Sequence, residues 1–514
     1  MTDPDLNPDQ FLYARKGPWP QPSPSHPLSE AFEVLNIPPI ESMLWNATIG
    51  QRYVMDQVAY PPKAAANAVG QLAYTTPGDA SFHTSMVKTA YIRYLQELSD
   101  GDTLLLASQG IGKAEAGNTW KYDFSAMALV KPLPGLYCAP TRVFFKGTSP
   151  DSLTCVAIVV GEVLIKPVDK AWGLAKIYAL QGAAYHMLFV VHPALHFPMD
   201  SVNAVTKTAV PYTHPLFQLF FPHTSYTLAL DNAVLESDLS VVNNHASATW
   251  FDPLTSDAYN LKLLFGAGYS GLPDEPYSNA YPAYDYMRPA LLKLADSAPS
   301  PLFDTAYSRW LTAYFERAFL PFCTVVANVI LKIDPSKPAD APESAKPYDP
   351  YVSRWARYLH SCVKGFPDEK QIFNPGCLAM AMAIYLWDVS VAHGADHHSF
   401  ALGISVVDKF LRIRREPPKA PDEPAVKPGE IFTGDDLYRS EMAQKMFFKP
   451  ATIAPNLEDT YYAFTDPVLA LAQKEFHEQL VLVSRDLELT QFMALDGTAS
   501  AEAYGLSIPA SIQY

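Results

Sequence analysis

Two kinds of hydrophobic spacing divide this chain. Apolar residues recur at helical spacing from Trp172 to Val191 and again from Cys377 to Val391. This predicts two helices with little polar surface, the kind that lies inside a protein. From Pro467 to Arg485 the pattern is amphipathic. Val468, Leu471, Phe476, Leu480 and Val483 share one side, with Lys474, Glu475 and Glu478 interleaved. Pro467 suits the first helical position, where its missing N–H costs nothing. Upstream the period changes. Asp102 to Ala107, Thr141 to Phe145 and Leu153 to Ile165 are β-branched or apolar runs bounded by Gly, Pro and Asp. They predict a short β-rich region between Asp102 and Ile165. The expected architecture is mainly helical, with a small sheet near the N-terminal end.

Proline marks the joints. Gly17 to Leu28, Ile333 to Pro350 and Glu416 to Pro428 are too rich in it for helix or sheet interior. They read as an extended arm and two surface loops. Composition then narrows the class. Hydrophobic residues make up 49% and charged residues 18%, enough for a sizeable core and too few charges for a disordered chain. The formal net charge is −15, which disfavours nucleic-acid binding, since phosphate contacts need clustered Lys and Arg. Five cysteines without a C-x-x-C spacing argue against a disulfide framework and fit a reducing compartment. No signal-peptide pattern opens the sequence, and no uninterrupted apolar stretch of about 20 residues predicts a membrane span. A cytoplasmic enzyme with at most peripheral membrane contact is expected.

Two histidine pairs carry the chemistry. His192-Pro-Ala-Leu-His196 and His393-Gly-Ala-Asp-His397 each space two histidines by four, so both imidazoles of a pair lie on one helix face. One such pair arises by chance about as often as not. Two pairs, each following an apolar helix and drawing on only 13 histidines, point to one four-nitrogen metal centre. By ligand type the set suits iron, manganese, copper or zinc. Pro193 predicts a kink or a widened π-type turn beside the first pair. His398 points about 100° away from the second pair and is expected to take no part. Asp396 is either an acceptor that fixes an imidazole tautomer or a solvated carboxylate, the commoner case. His214 and His223 lack the spacing to join the cluster and are expected to be structural. The ending, Leu506 to Tyr514, is unusually apolar for a terminus. It reads as a tail built to be buried, with a carboxylate that would then need a cation.

In sequence order, Trp172-Gly-Leu-Ala-Lys-Ile-Tyr178, His192 and His196, His214-Pro-Leu-Phe-Gln-Leu-Phe-Phe-Pro-His223, Ser390-Val-Ala-His393-Gly-Ala-Asp-His397 and Ile508-Pro-Ala-Ser-Ile512 resemble the lipoxygenase family. The resemblance covers about 88–514. It implies a single lipoxygenase-like catalytic domain over 1–514, with 1–87 as an arm and cover and no room for the N-terminal β-sandwich of the plant and animal members. It implies His192, His196, His393 and His397 as metal ligands, with the main-chain carboxylate of Tyr514 as a fifth. The metal would be one iron per chain, or manganese, since the short H-x-x-x-H spacing is similar to that of the fungal manganese enzymes. The implied reaction is insertion of O2 into a polyunsaturated fatty acid to give a hydroperoxide, with a metal-bound hydroxide as the base. Leu188 and Tyr514 depart from the family pattern. They leave open a hydroperoxide isomerase or an oxygenase of terpenoid or aromatic metabolites on the same fold, or a non-catalytic lipid-binding relative.

Overall fold

The computed structural model describes residues 37, 39–71, 76–111, 118–225, 227–230, 285–289, 292, 294, 301–333, 348–401, 411–427, 429–447, 455–486 and 508–512. The arm from Gly17 to Leu28, most of the loop from Ile333 to Pro350, and Tyr514 lie outside these residues.

Three helices open the described chain: α1 (Pro39–Ala59), α2 (Pro61–Gln71) and α3 (Asp79–Val87). A buried 3₁₀ turn, Ala90–Tyr94, comes after them. Next is an antiparallel meander of β1 (Gln96–Glu97), β2 (Thr119–Phe124), β3 (Thr141–Lys146), β4 (Thr154–Val160) and β5 (Val163–Ile165), with strands paired in chain order. The two expected strand regions at Thr141 and Leu153 are present as β3 and the β4–β5 hairpin. The strand expected from Asp102 to Ala107 is instead a helix, α4 (Asp100–Ser108). A capping box decides the matter. The Ser99 hydroxyl accepts the Asp102 backbone N–H, and Asp102 accepts the Ser99 N–H in return. Beyond that turn Leu106 is buried while Leu104 stays exposed, which suits a helix with one inward face.

The sheet forms a floor for α5 (Trp172–His186). Here Gly182 sits so close to the strands that an added Cβ would meet Phe124 and Thr141 within 2.9 Å. Fourteen of its fifteen residues, all but Gly173, are buried, as expected for a helix that is apolar all round. Its few polar groups are tied down. Trp172 Nε1 and Lys176 Nζ, one turn apart, both donate to Asp79 at the start of α3. Tyr185 donates to the Leu411 carbonyl at 2.9 Å.

The helical body continues with α6 (His192–Ala209), α7 (Pro215–Phe220), α8 (Ala306–Tyr314), α9 (Leu320–Ile330), α10 (Pro350–Cys362), α11 (Pro375–Trp387), α12 (His393–Ala401), α13 (Gly434–Phe447) and α14 (Pro467–Asp486). Five-residue π turns join α5 to α6 (Met187–Val191), α8 to α9 (Phe315–Phe319) and α11 to α12 (Asp388–Ala392). The π-type turn expected near Pro193 is therefore present, immediately before the first histidine pair. On α14 the buried face is Leu469, Ala472, Phe476, Leu480 and Val483. Val468 and Leu471, assigned to that face from the sequence, are exposed. They sit one residue out of step with the 3-4-4-3 spacing that reaches the core.

Three continuous helical stretches are long and apolar enough to cross a membrane by length and composition: Trp172–Ala209, Tyr307–Ile330 and Pro375–His397. This differs from the expectation of no such segment. The most apolar window of the first is wholly buried within the protein, that of the third is 78% buried and that of the second 50%, so the core accounts for the first and most of the third. Among the described residues Cys138, Cys155, Cys323 and Cys377 are free thiols, in line with the absence of a disulfide framework.

Candidate metal centre

The two π turns place the histidines. Each apolar helix, α5 or α11, runs into a widened turn, and the next residue is a histidine. Each π turn inserts one extra residue into the helical winding and so rotates the downstream residues about the axis. The α-helices then resume with His192 and His196, and with His393 and His397, on matched faces. Pro193 sits at the second position of α6, where the hydrogen-bond register changes and a missing N–H is tolerated.

The four expected residues meet. One ring nitrogen from each of His192, His196, His393 and His397 lies within 4.8 Å of all the others. His196 Nε2 is 3.0 Å from His192 Nε2 and 3.0 Å from His393 Nε2. No thiol or carboxylate of the described residues joins the group. Burial disfavours the charged form of two of the rings. It depresses the His192 pKa to about 4. It also takes that of His393 well below its usual value, with the neighbouring histidines adding to the effect. Neutral imidazole is the form that ligates.

These residues fit a metal ion. One ring can donate a single Nε2 proton, so it cannot reconcile two facing Nε2 atoms at once; a shared cation can. Nitrogens about 2.1 Å from a common ion, at the right angles of an octahedral site, lie about 3.0 Å apart, which is the separation seen. His393 Nδ1 is buried without a hydrogen-bond partner among the described residues, so that ring is held by packing alone.

Asp396 is not a solvated carboxylate. It is fully buried and accepts from His192 Nδ1 at 3.1 Å. Behind it lies Arg93, itself buried, with Nη1 2.7 Å from Oδ1 and Nη2 2.9 Å from Oδ2. Burial opposes the charge on both groups, and their mutual attraction outweighs it. The Asp396 pKa is lowered and that of Arg93 raised. Sequence reasoning missed Arg93 entirely, because it lies 303 residues from its partner.

His214 and His223 are outside the cluster, as expected. His214 caps α7 by accepting the Leu216 N–H at 3.2 Å and faces Asp349 at 3.3 Å. His223 is more than a passive core residue. Its Nδ1–H donates to the Ala510 carbonyl, and its Nε2 accepts from the Tyr462 hydroxyl at 2.8 Å. It thereby fastens the C-terminal tail. The Leu457 N–H donates to the Ile508 carbonyl at 2.7 Å and the Ala510 N–H to the Pro455 carbonyl at 3.0 Å. All of Ile508 to Ile512 is buried. The tail passes beside α12, the helix of the second histidine pair, where a Cβ on Gly394 would lie 3.3 Å from Pro509 Cδ. The burial expected of this segment is present as far as Ile512. The role expected of Tyr514 lies outside the described residues.

No family model matches the sequence, and no curated protein matches it. Solved structures do. The manganese lipoxygenase of Gaeumannomyces graminis superposes with a TM-score of 0.71 at 14% identity, over 98% of this chain and 96% of that one. A lipoxygenase deletion variant in complex with arachidonate gives 0.69 at 14% identity, over 98% of this chain and 79% of that one. A calcium-dependent 11R-lipoxygenase gives 0.64 at 13% identity, over 84% and 65%. The fold of this chain is the lipoxygenase fold, mainly helical with a small antiparallel sheet near its N-terminal end.

Proposed function

We propose that this protein is a non-haem metal dioxygenase that inserts O2 into a polyunsaturated fatty acid to give a hydroperoxide. The observation that carries the reading is the convergence of four imidazoles from two π-interrupted helices inside a lipoxygenase fold. His192, His196, His393 and His397 would hold the ion. The α-carboxylate of Tyr514 is the proposed fifth ligand, supported by the docking of 508–512 beside α12.

When bound, the metal supplies the one-electron redox chemistry needed to oxidise a weak C–H bond. The chain's own contribution is to hold and dry the site. Met187, Val190, Val191, Leu195, Val389 and Ala392 are buried apolar residues of the two ligand segments. Apolar surroundings of this kind would keep water from the site and suit an apolar substrate. Leu188, in the first π turn, is apolar and packed on the main core, so it offers no hydrogen bond to the site. Iron and manganese both accept a nitrogen-rich set completed by a carboxylate. The arachidonate complex and the manganese enzyme, both of the same fold as this chain, support the substrate class and the metal class respectively.

The test is elemental analysis of the purified protein joined to oxygen uptake with linoleate and identification of the product. Iron or manganese near one ion per chain, with a conjugated hydroperoxide formed, is the expected result. No oxygen uptake after reconstitution with either metal overturns the reading.

A further inference from the structure

The site's least expected component is a buried charge pair. Arg93 belongs to the 3₁₀ turn Ala90–Tyr94, whose start is capped by Thr89. That turn brings no ligand to the cluster, yet its guanidinium is almost fully buried. Burying an ion pair is costly, and one replaced by apolar groups of similar volume often leaves a protein as stable or more so. Fold stability alone therefore gives a weak reason for placing Arg93 here.

The hydrogen bonding gives a stronger one. Both carboxylate oxygens of Asp396 lie against the guanidinium, so Asp396 is ionised and can only accept. The group opposite its Oδ2 is His192 Nδ1 at 3.1 Å, which must then carry the proton. His192 Nε2 is left with its lone pair, 3.0 Å from His196 Nε2 and among the other ligand nitrogens. We propose that Arg93 is a positioning residue for the metal centre, holding Asp396 as the buried carboxylate that fixes the His192 tautomer and ring orientation. The inference rests on the four-histidine reading of the site. Arg93 does not touch the metal or substrate; it acts through Asp396.

The pair also sets the charge of the site. Arg93 cancels Asp396, so the carboxylate orients His192 without leaving a net negative charge behind it. Because neither partner requires a metal, His192 is oriented before an ion arrives. A carboxylate or carbonyl behind a ligating imidazole raises its donor strength, and its loss typically weakens metal binding about 10- to 100-fold.

The test compares metal affinity with fold stability in metal-free protein. Co(II) titration monitored by its visible absorption reports affinity and coordination together, and thermal unfolding reports the fold. Arg93→Met leaves a buried carboxylate unpaired and should lower Tm most. The double variant Arg93→Met/Asp396→Leu removes both charges and should regain much of that Tm. Its Co(II) affinity should nonetheless remain about 10- to 100-fold below the parent's, with an altered visible band. Asp396→Asn, which keeps an acceptor oxygen but no charge, should fall between parent and double variant. A purely structural role predicts that affinity tracks Tm and recovers with it. A double variant that binds Co(II) like the parent overturns the positioning role. A parent that binds no Co(II) overturns the metal reading itself, and this inference with it.

Discussion

The two segments that carry the histidine pairs are built alike and finished differently. Each runs from a buried apolar helix through a five-residue π turn to a histidine that opens the next helix. The residue after that histidine is Pro193 in the first and Gly394 in the second. Proline there answers a backbone problem, the change of hydrogen-bond register where π becomes α. The same solution appears at Pro321, after the π turn Phe315–Phe319. Glycine answers a packing problem, because the tail residue Pro509 passes where a side chain would be. One chemical task, presenting two imidazoles, is thus met under two local constraints. The tail packs beside the second segment, and the buried charge pair joins the two, since Asp396 of α12 holds His192 of α6 against Arg93.

The largest expected effect tests the feature the segments share. His192→Ala and His393→Ala should each weaken metal binding by more than the roughly 10- to 100-fold cost of losing a ligand's hydrogen-bond partner. His214→Ala, outside the cluster, should retain the metal. Calorimetric titration of the metal-free variants checks this. Equal affinity in either ligand variant would break the symmetry and sink the four-histidine centre.

Much of this arrangement was legible in the sequence. Helical spacing of the pairs, on apolar segments too unbroken for a surface helix, implied one buried cluster, and the structure assembles it. The features that stayed hidden have a common cause. Arg93 and Asp79 act through partners 303 and 93–97 residues away, and no local period records such a contact. For Asp396 the sequence leaves an acceptor and a solvated carboxylate both open, and the burial that selects the acceptor becomes evident only with Arg93 in place. The α4 misassignment is different in kind. The signal, Ser99 with Asp102 three residues on, was present locally but was outweighed by a short leucine run. The second π turn had no proline to announce it, so only the first was expected.

The next effect should separate the two finishing residues. Pro193→Ala restores an N–H at a register change but frees the unfolded backbone at a buried position, and should cost no more than about 1 kcal/mol. Gly394→Val drives a branched side chain into Pro509, which is held by backbone hydrogen bonds on either side and cannot withdraw easily. Overpacking of this kind costs about 1–3 kcal/mol, and the upper end is expected here. Denaturant unfolding measures both, and limited proteolysis should show the tail of the valine variant cleaved faster. Equal sensitivity at both positions would mean that the tail does not constrain α12.

The smallest expected effect concerns the latch that couples the tail to the second segment. Burial lowers the His223 pKa to about 4, against about 6.5 in an unfolded chain. The unfolded state therefore binds a proton first as the pH falls. The stability contributed by neutral His223 is fully present above about pH 6.5 and is lost progressively between pH 6.5 and 4. Between pH 6.5 and 5 the loss from this one group is about 1.5 kcal/mol, since the slope reaches about 1.36 kcal/mol per pH unit only once the unfolded group is protonated. His192 and His393 contribute with the same sign, so the parent alone cannot isolate the latch. His223→Phe keeps the ring volume but gives up both bonds, to Ala510 and Tyr462. It should be less stable than the parent at pH 7, while losing about 1.5 kcal/mol less between pH 6.5 and 5. Urea unfolding of both metal-free proteins at the two pH values supplies the comparison. Parallel pH profiles would show that His223 does not hold the tail as a neutral imidazole. The link from tail to α12 would then rest on Gly394 and Pro509 alone.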